Sequence, residues 1–313
     1  MPELIVIAGA TASGKSACAV ALARALQGEV VSCDSMQIYR GMDIGTATPG
    51  EEEMQGVPHH LLSVLEPGAP CSASIYRDMA LPVLRDIEAR GRTPILCGGT
   101  GLYIDALTRP MGFAAQGDGA LREKLRRMEP GALHRRLTEV DPESGARLHP
   151  NDVRRVIRAL EVYELTGKPL SLHREEDARR PGDYEGVLFA LDHPREALYE
   201  RINRRVDEML KAGLEQEVRG LMAEGLARGC TALQAIGYKE MALYIEGAST
   251  LEEAREAIAQ ATRRYAKRQL TWLRRDERVY HLDAPGKSAE GLAKEILQIL
   301  GGRREKRDHA KEQ

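Results

Sequence analysis

Short runs of apolar residues alternate with amphipathic segments in the first third of the chain. Residues 4–8 are all apolar, and residues 29–33 and 94–97 form similar short runs; such runs are typical of strands buried on both faces. Between them, residues 14–26 and 74–90 carry apolar side chains at helical spacing. Strands that alternate with helices form parallel sheets with right-handed crossovers. The pattern therefore predicts an α/β fold.

The pattern changes after Arg109, where a Gly-containing linker leads into a long stretch of helical spacing that ends at a Pro-Gly break near residue 181. Residues 187–191 again resemble a buried strand, and mainly helices are predicted beyond residue 192. A helical domain inserted into one α/β core explains this order. The predicted parts are a core over 1–111 and 187–302, an insertion over 112–186, and a frayed charged tail over 303–313.

The composition excludes several classes of protein. The 313 residues are 42% apolar and 29% charged, as in soluble globular proteins. Their longest apolar stretches are too short to cross a membrane, and the N-terminus lacks the basic segment of a secretory signal. We therefore expect a cytoplasmic protein without membrane contact. The five cysteines are widely spaced and form no CxxC pair, so neither a disulfide framework nor a zinc site is expected.

One motif points directly to phosphate chemistry. The sequence Gly-Ala-Thr-Ala-Ser-Gly-Lys-Ser follows the first predicted strand and opens the first helix, which is the context that a GxxxxGK[ST] loop requires. In such a loop the backbone amides bind an anion, the lysine contacts its terminal phosphate and the final hydroxyl holds Mg²⁺. The predicted diphosphate ligands are Gly9, Ala10, Thr11, Ala12, Ser13, Gly14, Lys15 and Ser16.

The loop predicts an α/β fold with a P-loop NTPase-like parallel sheet core, flanked by helices and interrupted by a small helical domain. The motif binds a di- or triphosphate without specifying which. We find no apolar strand that ends in a Walker-B aspartate and no Asn-Lys-x-Asp guanine motif. Motor ATPases and GTPases are therefore excluded.

Polar residues follow the next two predicted strands. Asp34 comes directly after the second strand, and Thr100 lies among three glycines after the third. Because the carboxyl ends of parallel strands converge on one crevice, both should face the phosphate site. Asp34 could coordinate Mg²⁺ through water, accept a proton from a nucleophile, or simply cap a turn. The glycines around Thr100 allow close approach to a ligand, or form a bare turn.

The net charge of −2 argues against a nucleic-acid partner only when it is taken as a total. Residues 1–70 carry a balance of −5, whereas residues 122–136 carry +4 and residues 263–278 carry +5. Three further arginines lie at positions 154, 155 and 158. Each run could be a solvated helix face, but three runs beside a phosphate site favour a polyanion.

Taken together, these motifs resemble the tRNA dimethylallyltransferase family. The stretches that carry the resemblance occur in order along nearly the whole chain: 9–16, 34–47, 57–61, 98–103, 151–162, 166–169, 236–239 and 262–272. Two positions depart from the family pattern. Thr48 stands where Lys is expected and Ser63 where Asp is expected, and neither is expected to touch the proposed chemistry.

The resemblance implies transfer of a dimethylallyl group from dimethylallyl diphosphate to the exocyclic amine of the adenosine 3′-adjacent to the anticodon. It implies that Asp34 and Thr100 are catalytic and that Ser16 holds Mg²⁺. Arg201 and Arg205 lie one helical turn apart, so they could reach the diphosphate or form a solvated helix face. The adenosine would flip out of its stack to react. The residues implied to bind the tRNA anticodon stem-loop are Asp34, Ser35, Met36, Gln37, Thr100, Arg122, Arg154, Arg155, Val156, Ile157, Arg158, Gly237, Tyr238 and Lys239. We expect a monomer.

Two other functions remain open at this stage. A small-molecule or nucleoside kinase would explain the phosphate loop and Asp34, but not the basic insertion. A tRNA-binding module without catalysis would explain the basic segments, but it would not need Asp34.

Overall fold

The computed structural model describes residues 3–113, 115, 117–226 and 229–311. The chain divides into two compact units, of which the smaller covers residues 108–183 and the larger holds most of the remainder. The smaller unit ends earlier than the predicted 186 because the strand that follows it already begins at Glu185. None of the described helices has the length and apolar character that a membrane span needs.

Six parallel strands form one sheet within the described residues. They are β1 (Glu3–Ala8), β2 (Glu29–Ser32), β3 (His59–His60), β4 (Pro94–Gly98), β5 (Glu185–Asp192) and β6 (Val279–Asp283), in the spatial order β3-β2-β4-β1-β5-β6. The central strand, β1, pairs with β4 on one side and β5 on the other, and Ala8 lies opposite both Gly98 and Ala190. The predicted parallel α/β core is confirmed, and the residues that follow β1, β2 and β4 leave the sheet at the same edge.

The helices surround this sheet or form the smaller unit. In chain order they are α1 (Lys15–Leu26), α2 (Asp43–Thr46), α3 (Glu51–Met54), α4 (Ala73–Ala89), α5 (Gly101–Thr108), α6 (Gly119–Arg126), α7 (Pro130–Val140), α8 (Pro142–Arg147), α9 (Val153–Thr166), α10 (Leu170–Ala178), α11 (Arg195–Ala212), α12 (Leu214–Ala223), α13 (Tyr238–Ile245), α14 (Leu251–Arg275) and α15 (Ala289–Lys311).

In the main core, α1 and α15 pack against β1 and β5. Ile7, Leu22, Phe189 and Ile296 are completely buried in this cluster. Burying side chains of this size stabilises the fold by roughly 1.5–3 kcal/mol each. This packing fixes the start of α1 directly beyond the end of β1.

The sequence prediction was incomplete for the last third of the chain. The sequence pattern misses β6 because two of its five side chains are half-buried, two are exposed and only Leu282 is buried, so the strand lacks a continuous apolar run. The predicted frayed tail is also wrong for the backbone, which stays helical to Lys311. Arg303 anchors this helix by pairing with Glu3 at 3.2 Å and Glu185 at 3.0 Å.

The smaller unit has its own core, formed by α6, α7 and α9. Leu125, Leu137 and Leu160 are buried in it together with Val156 and Ile157. The last two side chains therefore pack inside this unit, and the tRNA contacts implied for the two residues stay predictions.

A buried carboxylate lies beside this core. Glu161 is fully buried and accepts hydrogen bonds from the Asp118 amide at 2.7 Å and from Arg158 at 2.7 Å. Arg122 pairs with the same carboxylate at 2.8 Å. Burial alone would raise the pKa of Glu161, but the bonds from Arg158 and Arg122 outweigh it and lower the pKa. These two arginines thus first serve to neutralise Glu161.

A second buried carboxylate gives a stability prediction. Glu29 on β2 accepts hydrogen bonds from Arg90 and from His60, the latter at 2.7 Å. The bonds from Arg90 lower the pKa of Glu29 from 4.5 to about 2. A carboxylate with a depressed pKa stabilises the fold above its ordinary pKa, and this stabilisation is lost as the pH falls through 2. We expect Glu29→Gln to lower the free energy of unfolding by about 3 kcal/mol at pH 7.

The measurement is urea unfolding at several pH values. The difference between wild type and Glu29→Gln should shrink to about 1 kcal/mol at pH 3. The matched control is Glu66→Gln, since Glu66 forms an exposed ion pair with Arg40, which should be worth less than about 1 kcal/mol. A difference that does not change with pH would contradict this account of Glu29.

Candidate active site

The predicted phosphate loop connects β1 to α1. Gly14 has a φ of 91°, in the left-handed region that favours glycine. A Cβ added at Gly9 would lie 2.6 Å from the Ser13 hydroxyl oxygen, so the loop closes tightly on itself. The first amides of α1 have no partners within the helix and lie at the positive end of its dipole. The loop therefore presents N–H groups suited to an anion.

Two side chains hold the loop from outside. His193 donates from Nε2 to the Ser13 carbonyl at 2.9 Å, and Arg201 donates from Nε to the Ala12 carbonyl at 2.7 Å. Because the carbonyl and the following N–H of a trans peptide point in opposite directions, these bonds fix the amides of Ser13 and Gly14. No motif in the sequence points to His193.

Not every loop amide is available for a ligand. The Thr11 amide donates to the Gln269 side chain at 3.0 Å, and the Ser13 amide donates to the Ala10 carbonyl at 3.2 Å. The expectation that all amides from Thr11 to Ser16 bind diphosphate is wrong for these two. Gly14, Lys15 and Ser16 remain the donors at the start of the helix.

A cavity of about 670 Å³ opens beside the loop. Its walls include Gly14, Lys15 and Ser16 from the loop, the segment around α2, and arginines 201, 204 and 205 from α11. The three arginines recur at i, i+3 and i+4, which places them on one helix face. The structure thus brings Arg205 to the loop as predicted, and it adds Arg204. Thr48 also lines the cavity, so this departure from the family pattern lies in the same pocket as the loop.

Asp34 interacts with the cations of this cavity. Burial lowers the pKa of Lys15, and the negative charge of Asp34 acts in the opposite direction. Burial likewise lowers the pKa of Arg205, again opposed by Asp34. The Asp34 carboxylate also accepts the Met36 amide at 2.9 Å. Asp34 therefore closes a turn and also faces the phosphate site.

Thr100 lies next to the Asp34 segment, as the sheet topology requires. Its hydroxyl accepts a hydrogen bond from the Ser35 amide at 3.0 Å and also bonds to Tyr265. Burial, together with the negative charge of Asp34, raises the pKa of Tyr265 to about 12. Tyr265 is thus a third polar group beside Asp34. The sequence placed it only on the apolar face of a helix.

Gln37 has a structural role in the protein. It accepts the Ser32 hydroxyl at 3.0 Å and donates to the carbonyls of Thr46 and Ala47 at 3.3 and 3.2 Å. Both ends of its amide are occupied within the protein, and the tRNA contact implied for Gln37 stays a prediction. Ser35 and Met36 are half-buried beside Asp34, and their predicted contacts stay predictions.

Glu217 holds the start of α2, which lines the cavity. Its carboxylate accepts the amides of Asp43, Ile44 and Gly45 at 2.8, 2.8 and 3.0 Å. The Tyr238 hydroxyl donates to the same carboxylate at 2.6 Å. These bonds satisfy first-turn amides that have no partner within the helix.

The segment around Tyr238 was predicted to contact tRNA. Tyr238 is completely buried, and a Cβ on Gly45 would lie 2.5 Å from its ring. Gly237 is buried as well, whereas Lys239 is exposed. The contacts implied for all three residues stay predictions, and Lys239 is the one of the three that is exposed.

Comparisons with known proteins show the family of this chain. The family model described as IPP transferase matches residues 37–276. The chain belongs to the IPP transferase family. A relative from Geobacillus thermodenitrificans, called tRNA dimethylallyltransferase, is 50% identical over 308 residues and aligns over 96% of this chain and 97% of its own. A Geobacillus kaustophilus relative with the same name is 53% identical over 277 residues, or 87% of each chain.

Solved structures show the same family likeness. The tRNA isopentenylpyrophosphate transferase of Bacillus halodurans is 42% identical to this chain and has a TM-score of 0.75. The alignment covers 100% of both chains. A eukaryotic dimethylallyltransferase acting on tRNA is 30% identical with a TM-score of 0.80, over 91% of this chain and 75% of that one.

This IPP transferase carries exposed cations in both units. In the smaller unit, Arg154 and Arg155 are exposed at the start of α9, and Arg155 pairs with Asp152 at 3.3 Å. On α14 the exposed cations share one face and have no carboxylate within ion-pair distance among the residues described: Arg264, Lys267, Arg268, Arg274 and Arg275. Both sets can meet a polyanion, whereas Arg122 and Arg158 are already tied to Glu161.

Proposed function

We propose that this protein transfers a dimethylallyl group from dimethylallyl diphosphate to the exocyclic amine of the adenosine 3′-adjacent to the anticodon in tRNA. The observation that carries this proposal is the position of Asp34, whose negative charge acts on both Lys15 and Arg205. It joins a proton acceptor to the cations of a phosphate cavity. The names of the relatives support the same activity.

The phosphate loop serves the leaving group. As the bond between the dimethylallyl carbon and oxygen breaks, the diphosphate takes the electron pair and gains charge. The amides of Gly14 to Ser16, the Lys15 ammonium and Arg205 would stabilise that charge most strongly in the transition state. Arg201 would mainly keep the loop in shape through its bond to Ala12.

We propose Mg²⁺ as the cofactor, and the residues fit it. Mg²⁺ prefers oxygen ligands and keeps several waters beside substrate phosphates. The Ser16 hydroxyl bonds to Cys97, which leaves its oxygen lone pairs available, and the carboxylates of Asp43, Glu53 and Glu208 line the same cavity. Among the residues that the structure describes, no group of three or more His, Cys, Asp or Glu is arranged to hold a metal. Ser16 would hold the ion, which would neutralise charge on the diphosphate.

Asp34 serves the acceptor. The exocyclic amine of adenine is a weak nucleophile because its lone pair is delocalised into the ring. Asp34 would bind this amine and take its proton as the new carbon–nitrogen bond forms. Thr100 and Tyr265 would orient the base. An adenosine in a stacked loop cannot reach such a crevice, so it would flip out of the stack.

The test of this function is a label-transfer assay with the whole protein. Labelled dimethylallyl diphosphate and unmodified tRNA should give label in one adenosine nucleoside, with one diphosphate released for each label. No label should reach a free nucleoside. ATP-dependent phosphorylation of a nucleoside or metabolite, without label transfer, would favour the kinase instead. Neither reaction would favour a tRNA-binding module.

The exposed cations give a binding prediction. We propose that the protein acts as a cytoplasmic monomer and holds the anticodon stem-loop partly through Arg154 and Arg155. Replacing both by Gln should raise the tRNA Kd about tenfold and reduce the slope of log Kd against log salt by about one to two. The KM for dimethylallyl diphosphate should stay unchanged. Lys294→Gln, an exposed change on α15, is the control, and equal effects from both variants would contradict the assignment.

A further inference from the structure

One face of α14 packs against the turn that carries Thr100. Tyr265, Gln269 and Trp272 recur at i, i+4 and i+7, so they lie on the same side of the helix. Tyr265 bonds to the Thr100 hydroxyl. Gln269 donates from Nε2 to the Gly99 carbonyl at 3.0 Å.

The glycines of this turn are required by that contact. A Cβ at Gly101 would lie 2.6 Å from the Trp272 indole, and a Cβ at Gly99 would lie 2.0 Å from Gln269 Nε2. A larger residue at either position would displace the side chain of Gln269 or Trp272. The turn and the helix therefore hold each other in place.

Gln269 also reaches the phosphate loop. Its Oε1 accepts the Thr11 amide at 3.0 Å, and its side chain is more than nine-tenths buried. A single side-chain amide thus joins the loop proposed to bind the leaving group to the turn proposed to orient the acceptor.

We propose that Gln269 is a positioning residue that sets the distance between the diphosphate and the adenine amine. The inference rests on the proposed function. Reacting atoms must approach to about 3–3.5 Å, and an error of about 1 Å can reduce the rate about a hundredfold. A link that fixes both loops acts on that distance without touching either substrate.

The chemistry of the link requires glutamine. The Thr11 amide can only donate and the Gly99 carbonyl can only accept, so the residue between them must accept at one end and donate at the other. An ionised glutamate would place a carboxylate oxygen against the Gly99 carbonyl. A protonated glutamate would restore the donor.

The experiment compares Gln269→Met with Gln269→Glu in the whole protein. Gln269→Met should lower kcat about thirty- to a hundredfold, while the tRNA Kd changes less than about threefold. For Gln269→Glu, the activity relative to wild type should rise about tenfold or more from pH 8.5 to pH 6, because burial raises the pKa of a carboxyl group. If Gln269 served only for packing, the ratio of Gln269→Glu activity to wild-type activity would not depend on pH.

Hydrogen exchange provides a readout that does not depend on activity. In Gln269→Met, exchange should accelerate in the peptides that cover residues 9–16 and 98–103. Thr262→Ala, which removes a bond from the same helix to Ile258, should leave both peptides and kcat unchanged. The proposal would be overturned if these peptides exchanged in Gln269→Met at the same rates as in the wild type. A kcat of Gln269→Met within threefold of wild type would overturn it as well.

Two further controls complete the test. If Gln269→Met does not fold, the double-mutant cycle of Gly99→Ala and Gln269→Ala replaces it. The effects of the two changes on kcat should then be strongly non-additive, because the methyl group added at Gly99 displaces the Gln269 side chain. Additive effects would overturn the proposal. If the wild-type protein transfers no label, only the proposed function fails. The hydrogen-exchange result would still decide whether Gln269 links the two loops.

Discussion

Asp34→Asn should lower kcat for transfer about a hundred- to ten-thousandfold, the range that general base catalysis contributes. The substituted side chain keeps the shape of Asp34 and an oxygen that can accept the Met36 amide, so the turn it closes should survive. It cannot take a proton from the adenine amine. The measurement is single-turnover transfer with tRNA in excess, together with the tRNA Kd, which should change less than threefold.

Two comparisons isolate the role of this carboxylate. Asp34→Ala should lose activity to a similar degree and also some stability, because it removes the turn as well. Asp78→Asn, an exposed change on α4, should retain full activity. If Asp34→Asn transfers the dimethylallyl group at near the wild-type rate, Asp34 is not the base.

Lys15→Met should lower kcat/KM for dimethylallyl diphosphate about a thousandfold, since it removes a cation from the point where charge develops. The same change should not destabilise the fold. Burial lowers the pKa of Lys15, which means that the unliganded fold disfavours its charge. Thermal unfolding of the variant should therefore occur at or above the wild-type temperature, and a large loss of stability would contradict this account.

The lowered pKa of Lys15 also predicts a pH effect. The folded lysine loses its proton at a lower pH than an ordinary lysine, whose pKa is 10.5. Diphosphate binding should weaken as the pH rises through that lowered value, because the neutral amine no longer attracts the anion. Lys15→Met should lack this alkaline decrease. An identical decrease in both proteins would assign it to another group.

The parts of the fold that sequence could predict are those with a local signal. β1 and the loop after it carry a continuous apolar run and a fixed glycine spacing, and both were found. β6 gave no such signal because it is an edge strand with mostly half-buried or exposed side chains. Its partner, β5, lies about ninety residues earlier in the chain, and pairing over that distance leaves no local pattern.

The candidate site divides in the same way. Asp34 and Thr100 could be placed because strand ends converge in a parallel sheet. Gln269, His193 and Tyr265 could not, since each meets the site from a distant part of the chain and makes its contact through only one or two hydrogen bonds. The resemblance also assigned tRNA contacts by position alone. It could not tell that Tyr238 is buried, because burial depends on packing against Gly45.

The central claim is that the phosphate loop holds the diphosphate while Asp34 holds the adenine amine. The most direct measurement is a crystal structure of the whole protein with an unreactive dimethylallyl diphosphate analogue and an anticodon stem-loop. We expect the diphosphate on the amides of Gly14 to Ser16, and an Asp34 carboxylate oxygen about 2.6–3.2 Å from the amine of a flipped adenosine. A diphosphate bound elsewhere, or an adenine amine beyond hydrogen-bond reach of Asp34 and without a bridging water, would contradict it.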